Sequence, residues 1–227
     1  MLVERGRYGM SAQSALHVGI AWLAVSALLA FVNIGAISNS PLAYSGDTAR
    51  LVLLLSPPLG ADAAELIALI AVPALTLGIG MSLAARLTLR LIGDREVMLT
   101  CLAMAISAPL LTQMGPAQIE HGGWQLVCAL LAVNGLVARN PRTGGWITGL
   151  SLAAWPSLSI ESWPLVAAIL GITGLRWLRD RADRMWLGHI VRAMAGGSIA
   201  IYTVARGVGD LTTYCDRIGP VHIAMLC

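Results

Sequence analysis

Positive charge in this chain is concentrated in alternate connections between long uncharged stretches. The sequence has no lysine and fifteen arginines. One set of connections holds eleven of them: Arg5, Arg7, Arg86, Arg90, Arg95, Arg139, Arg142, Arg176, Arg179, Arg181 and Arg184. The alternate connections hold Arg50, Arg206 and Arg217, and Arg192 lies within the last stretch. Because positively charged connections stay in the cytoplasm during membrane insertion, this alternation predicts a polytopic membrane protein with a cytoplasmic N-terminus.

The uncharged stretches have the length that membrane helices need. Charged residues make up 12% of the chain, against roughly 25% in soluble domains. A hydrocarbon core ~30 Å thick requires ~20 apolar residues per helix, and the sixth and seventh stretches reach that length only if Arg176 and Arg192 extend to the headgroups. We therefore predict an all-α polytopic transmembrane helix bundle, a single domain over 1–227. About seven spans are expected, near 16–36, 66–85, 97–119, 122–138, 143–160, 162–177 and 186–205.

Two apolar segments are too short to span. Residues 47–55 precede a Pro-Pro pair and predict a short helix lying in the interface. Residues 218–227 form an apolar tail of about half a span, which can lie on the membrane, fill a groove or begin a further helix. The first apolar stretch is too long for a cleaved signal peptide. Small residues one turn apart, Gly78–Ser82 and Gly145–Gly149, predict close helix packing.

The predicted external face collects seven of the twelve acidic residues. Carboxylates there can bind a divalent cation or act as general bases, and neighbouring arginines can hold a lipid-linked phosphate. The simpler interpretation is that loops in water carry charges. Asp47, Glu120, His121 and Glu161 stand out because each lies near a helix end in apolar or small-residue surroundings.

Other functional classes find little support in the residues. His17 and His189 could ligate haem or a chlorophyll magnesium, but nothing else in the sequence supports a pigment site, and histidines at the membrane interface are the default explanation. The four cysteines form no CxxC pair, and no Walker loop, nucleophile elbow or HExxH motif occurs. The net charge of +3 is spread over the predicted cytoplasmic loops, so it indicates topology and not nucleic-acid binding.

Five short motifs occur in an order that resembles the N-terminal half of bacterial integral-membrane glycosyltransferases of the C type (GT-C). They are Phe31-Val-Asn-Ile-Gly35 at the end of the first predicted span, Gly46-Asp47-Thr48-Ala49-Arg50, Gln118-Ile-Glu-His-Gly-Gly-Trp-Gln-Leu126, Ser159-Ile-Glu-Ser-Trp-Pro-Leu165 and Tyr214-Cys-Asp-Arg-Ile-Gly-Pro-Val-His222. The resemblance implies sugar transfer from a polyprenyl-phosphate donor on the external face. It implies Asp47 as the base or as the ligand of a divalent metal, with His121 and Glu161 on the acceptor side. Arg50 and Arg206 would then hold the donor phosphate.

The chain also departs from that family. Its first external loop is shorter and keeps one acid, Asp47, and the chain ends where such enzymes begin an eighth helix. We therefore expect an accessory or structural subunit of a larger complex in the bacterial inner membrane, of respiratory or photosynthetic type, without catalysis. Its partners would be other integral-membrane proteins and lipids. The alternative is a polyprenyl-phosphate-sugar-dependent glycosyltransferase or a lipid-linked sugar-binding protein, for which Asp47, His121 and Glu161 must converge on one external cavity.

Overall fold

The described part of the chain is helical throughout. The structure is a computed structural model, and it describes residues 12–32, 61–107, 110, 122–180 and 183–206. These residues form seven α-helices and no strand: α1 (Ala12–Val32), α2 (Ala61–Leu91), α3 (Val97–Ile106), α4 (Gly122–Leu136), α5 (Pro141–Leu158), α6 (Trp163–Arg179) and α7 (Arg184–Arg206). A 3-10 turn, Ile160–Ser162, joins α5 to α6. The all-α prediction is confirmed.

Each predicted span overlaps one of these helices, but the number of membrane spans remains a prediction. Among the described residues, one helix is long and apolar enough to cross a membrane, over Ile70–Leu91 of α2. The core helix of a soluble protein can have the same length and composition. The remainder of the third predicted span, the interfacial segment 47–55 and the tail 218–227 lie outside the described residues, except for residues 107 and 110.

The chain divides into two compact units, Met1–Gly123 and Trp124–Cys227. In the first unit, α1, α2 and α3 contact one another. The hydroxyl oxygens of Thr88 and Thr100 lie 2.7 Å apart and join α2 to α3 in an antiparallel hairpin. The N–H groups of Ile92 and Gly93 both donate to the Thr88 carbonyl, at 2.8 and 3.0 Å. Gly93 has a φ of +156°. Residues with a side chain rarely adopt such an angle, so glycine is suited to this position after the end of α2.

Trp22 fixes α1 against α2. Its indole Nε1 donates to the Ala74 carbonyl at 2.6 Å. One turn further along α2, Gly78 leaves the space that the indole ring occupies, because a Cβ built there would lie 2.8 Å from Nε1. The close packing predicted at Gly78 is therefore a contact with the Trp22 side chain of the neighbouring helix.

In the second unit, α4 and α5 form an antiparallel hairpin. Asn140 caps α5, since its Oδ1 accepts from the Arg142 N–H at 3.0 Å, and Pro141 begins the helix without needing a donor. Further along, the buried Thr148 hydroxyl donates to the Ala132 carbonyl of α4 at 3.2 Å. The polar hydroxyl is thus satisfied by a backbone carbonyl of the opposite helix.

The helices α5 and α7 run parallel with their backbones close together. A Cβ built at Gly149 would lie 2.6 Å from the Ala193 Cβ, and one built at Gly197 would lie 3.0 Å from the Ala153 Cβ. Contacts therefore advance in the same direction along both helices. The close packing predicted for Gly145–Gly149 is confirmed, and its partner is α7. The core beside it contains Cys128, Ala132, Leu152, Ala153, Trp155, Val166, Ile190 and Met194.

Candidate functional site

Charged residues of the second unit segregate towards its two ends. Because α5 and α7 start together, the α4–α5 and α6–α7 connections lie at the same end. We call this the basic end, and its described charged residues are Arg139, Arg142, Arg176, Arg179, Asp180, Asp183 and Arg184. The opposite end carries Glu161 in the 3-10 turn and Arg206 at the end of α7. Within this unit, the arrangement agrees with the division of arginines that the sequence predicted.

At the basic end, Arg142 and Arg184 lie exposed in the first turns of α5 and α7. The Trp186 ring packs against Gly144, where a Cβ would overlap it, and holds these two turns together. Arg176 Nε donates to Asp183 Oδ2 at 3.1 Å in an exposed ion pair, which contributes at most ~1 kcal/mol. Two arginines thus project from adjacent helix N-termini.

Arg192 lies two turns into α7, but its guanidinium reaches back towards the basic end. A Cβ built at Gly188 would lie 3.3 Å from Arg192 Nη2, so the guanidinium lies beside residue 188. Helical side chains point towards the N-terminus, which makes this orientation the natural one. The expectation that Arg192 extends towards one end of its helix agrees with this geometry.

Of the predicted catalytic residues, Glu161 is the one that the structure describes. It is exposed, and its backbone N–H donates to Ser159 Oγ at 3.3 Å. Beside it, the buried Ser162 hydroxyl donates to the Ser159 carbonyl at 2.8 Å and fixes the turn. The structure therefore presents Glu161 to the surroundings at the end opposite the basic end.

Asp47, Arg50 and His121 lie outside the described residues, and for Arg206 only the backbone position, at the end of α7, is described. Within the described ranges, no three His, Cys, Asp or Glu side chains group together as a metal site. The convergence of Asp47, His121 and Glu161, and a cation on Asp47, stay predictions.

The two histidines considered as pigment ligands lie in different units. His17 is half-buried on α1, in the first unit. His189 packs its Cβ against Gly145, and its Nδ1 is buried without a hydrogen-bond partner among the described residues. Trp155 Nε1 is buried in the same condition. An unpaired buried polar atom costs about 1–3 kcal/mol of stability, so each of these two atoms lowers the stability of the second unit.

The sequence did not reveal that the first turns of α5 and α7, which carry Arg142 and Arg184, lie side by side. Both turns were assigned to the same side of the membrane, but their contact depends on the pairing of α5 with α7. The available signal was the glycine pair at 145 and 149, which indicated close packing but not the partner helix.

The fold defines an all-helical protein in which one described helix is long and apolar enough to cross a membrane. No protein family, curated protein or solved structure matches the chain. The resemblance to C-type glycosyltransferases accordingly stays a prediction.

Proposed function

We propose that this chain is a multi-pass inner-membrane protein with about seven spans, which serves as an accessory or structural subunit beside other integral-membrane proteins. Exposed apolar surface along α6 carries this proposal. Leu165, Leu175 and Leu178 are 56%, 66% and 72% exposed. Burial of a leucine side chain stabilises by about 1.5–3 kcal/mol relative to exposure in water. Lipid tails or another helix supply that burial.

The same pattern recurs on α1 and α3. On α1, four large apolar side chains are exposed along the helix: Leu16, Ile20, Leu23 and Leu28. On α3, the exposed ones are Met98, Leu99, Leu102 and Ile106. Contiguous apolar surface of this kind is unusual on a soluble monomer and marks contact with membrane or protein. Both helices therefore support a membrane location.

Open glycines support the subunit role. A Cβ built at Gly171 or Gly174 of α6, or at Gly196 of α7, meets nothing within 4 Å. By contrast, the space beside Gly149 is filled by α7, and a Cβ built there would clash with that helix. Helix association in lipid relies on small residues that allow backbones to approach. The surfaces at Gly171 and Gly196 are suited to receive helices of another protein.

Reporter fusions test the topology. A fusion after Arg142 should report the cytoplasm, and a fusion after Glu161 should report the external side, because the basic end is expected to stay inside. Resistance of the chain to carbonate extraction checks membrane integration independently. An external location for Arg142 would overturn the topology.

Purification in a gentle detergent tests the subunit role. The chain should elute with other membrane proteins, and Gly171→Leu should reduce their recovery while leaving the chain folded. Gly149→Leu is the matched comparison, since it should disrupt the chain itself. A wild-type chain that elutes alone as a monomer would contradict the proposal.

A glycosyltransferase role remains the alternative, and the exposure of Glu161 at the end opposite the basic end favours it. A carboxylate on the external side could contact an acceptor sugar. We expect no sugar transfer from a polyprenyl-phosphate sugar by the wild-type chain. Transfer that Asp47→Asn abolishes and Asp94→Asn preserves would make the enzyme the leading proposal.

A further inference from the structure

We infer that the lipid-facing apolar band of the second unit is narrower than an average bilayer, so that lipids with short acyl chains cover it best. This inference rests on the proposed placement of the chain in a membrane. In α6, the exposed Glu161 precedes the helix and Arg176 lies in its last turn. With a rise of about 1.5 Å per residue, the uncharged stretch between them is about 22 Å long. An average hydrocarbon core is about 30 Å thick.

An ion pair fixes the charge at the end of α6. Arg176 Nε donates to Asp183 Oδ2 at 3.1 Å, and Asp183 lies beyond the end of the helix. The guanidinium therefore stays at the basic end instead of reaching back along α6. Tilting the helix away from the membrane normal would shorten the projected apolar length further. A bilayer of average thickness would consequently bring lipid tails against charged groups at one or both ends of α6.

The helices that pair beside α6 are short in the same way. The 18 residues of α5 correspond to a length of about 27 Å. In α7, the exposed Arg192 divides the helix, and the stretch from Arg192 to Arg206 is about 21 Å long. Because the Arg192 guanidinium lies beside Gly188, that stretch extends to about 27 Å at most. Three helices thus agree on an apolar band of roughly 21–27 Å.

The first unit supplies a contrast within the same chain. In α2, the sequence has no charged residue between Glu65 and Arg86, a stretch of about 31 Å. That length matches an average bilayer, so the narrow band is a property of the second unit.

Exposed side chains indicate that lipid covers this band. Leu165, Ile172 and Leu175 are exposed along α6, and the exposed Trp146 and Trp177 lie towards the basic end of α5 and α6. Tryptophan is enriched at membrane–water interfaces, because its ring has an apolar body and a polar edge. An apolar surface that is shorter than the hydrocarbon core thins the surrounding bilayer at a free-energy cost. Shorter acyl chains remove that cost.

Denaturant unfolding of the full chain in lipid vesicles measures the match. The vesicles contain dimyristoleoyl-, dioleoyl- or dierucoylphosphatidylcholine, whose acyl chains lengthen in that order. Tryptophan emission follows mainly the second unit, since six of the seven tryptophans lie in it. The wild type should be most stable in the dimyristoleoyl lipid. Its ratio of folded to unfolded chain should be about tenfold lower in the dioleoyl lipid, because several ångströms of mismatch accumulate, and lower still in the dierucoyl lipid.

One substitution tests the band directly. In Arg192→Leu, α7 has no arginine between Arg184 and Arg206, a stretch of about 33 Å. This variant should therefore show a weaker preference for the dimyristoleoyl lipid, whereas α5 and α6 keep the preference from reversing. Arg95→Leu is the matched control, because it is the same substitution at an exposed position between α2 and α3. It should retain the lipid preference of the wild type.

Two results would overturn the inference. The wild type could be equally stable in the three lipids or most stable in one of the longer ones, or Arg192→Leu and Arg95→Leu could change the lipid preference alike. The wild-type series decides the matter even if Arg192→Leu does not fold. Release of the chain by carbonate extraction would instead refute the proposed function, so the two failures are distinguishable.

Discussion

Gly149→Ala should destabilise the second unit through a single added methyl group. That methyl would overlap the carbonyl oxygen of Ile190 and lie 2.6 Å from the Ala193 Cβ and 3.0 Å from the Met194 N. Two of these atoms belong to the backbone of α7, so no side-chain rotation can relieve the contact. The two helices must move apart along the interface.

The expected magnitude combines two opposing effects. Overpacking of a well-packed interior costs about 1–3 kcal/mol. Alanine is also favoured over glycine inside a helix by about 1 kcal/mol, which offsets part of that cost. Gly196→Ala is the matched control, because it has the same intrinsic gain and a Cβ there meets nothing within 4 Å. The difference between the two variants isolates the steric term and should be about 1–3 kcal/mol.

Denaturant unfolding of both variants in the same mild detergent measures that difference. Gly196→Ala should be more stable than the wild type by up to about 1 kcal/mol, and Gly149→Ala should be less stable than Gly196→Ala by about 1–3 kcal/mol. Gly149→Leu should lower the free energy of unfolding further, whereas Leu150→Ala, on the exposed side of α5, should lower it less. Equal unfolding free energies for Gly149→Ala and Gly196→Ala would refute the close approach of α5 and α7.

Two further variants test individual contacts. Gly78→Ala should displace Trp22 and weaken its hydrogen bond to α2. It should therefore be about 0.5–1.5 kcal/mol less stable than Gly19→Ala, which has the same intrinsic gain and open space around its Cβ. An unchanged tryptophan emission spectrum in Gly78→Ala would count against the contact. Thr148→Val removes the buried hydrogen bond to Ala132 at similar volume and should cost about 0.5–1.5 kcal/mol in unfolding free energy. A valine variant as stable as the wild type would show that this bond contributes nothing net.

The helices were predictable because their signals are local. Arginines and turn residues bound each uncharged stretch, and the α5 boundary illustrates this. The predicted span begins at residue 143, whereas Asn140 and Pro141 begin the helix two residues earlier through a cap and a first-turn proline. That adjustment involves neighbours in sequence, and it lies within the usual uncertainty of helix ends.

Helix partners were not predictable, because they depend on side-chain fit between distant segments. Gly78 and Gly149 both indicated close packing, but one receives the Trp22 ring and the other the backbone of α7. The hydrogen bond from Trp22 to Ala74 requires a specific register of α1 on α2, which no local pattern specifies. The same limit applies to the candidate site, since the position of Glu161 in its turn says nothing about which distant residues approach it.

The parallel pairing of α5 with α7 sets an order of events during synthesis. Gly145 and Gly149 emerge from the ribosome well before His189 and Ala193, since α6 comes between them. At about 5–20 residues per second, the delay is on the order of seconds. During that interval the glycine surface of α5 has no native cover, and any helix with a compatible surface can occupy it. The second unit can therefore bury this glycine surface in its native way only after α7 has been synthesised.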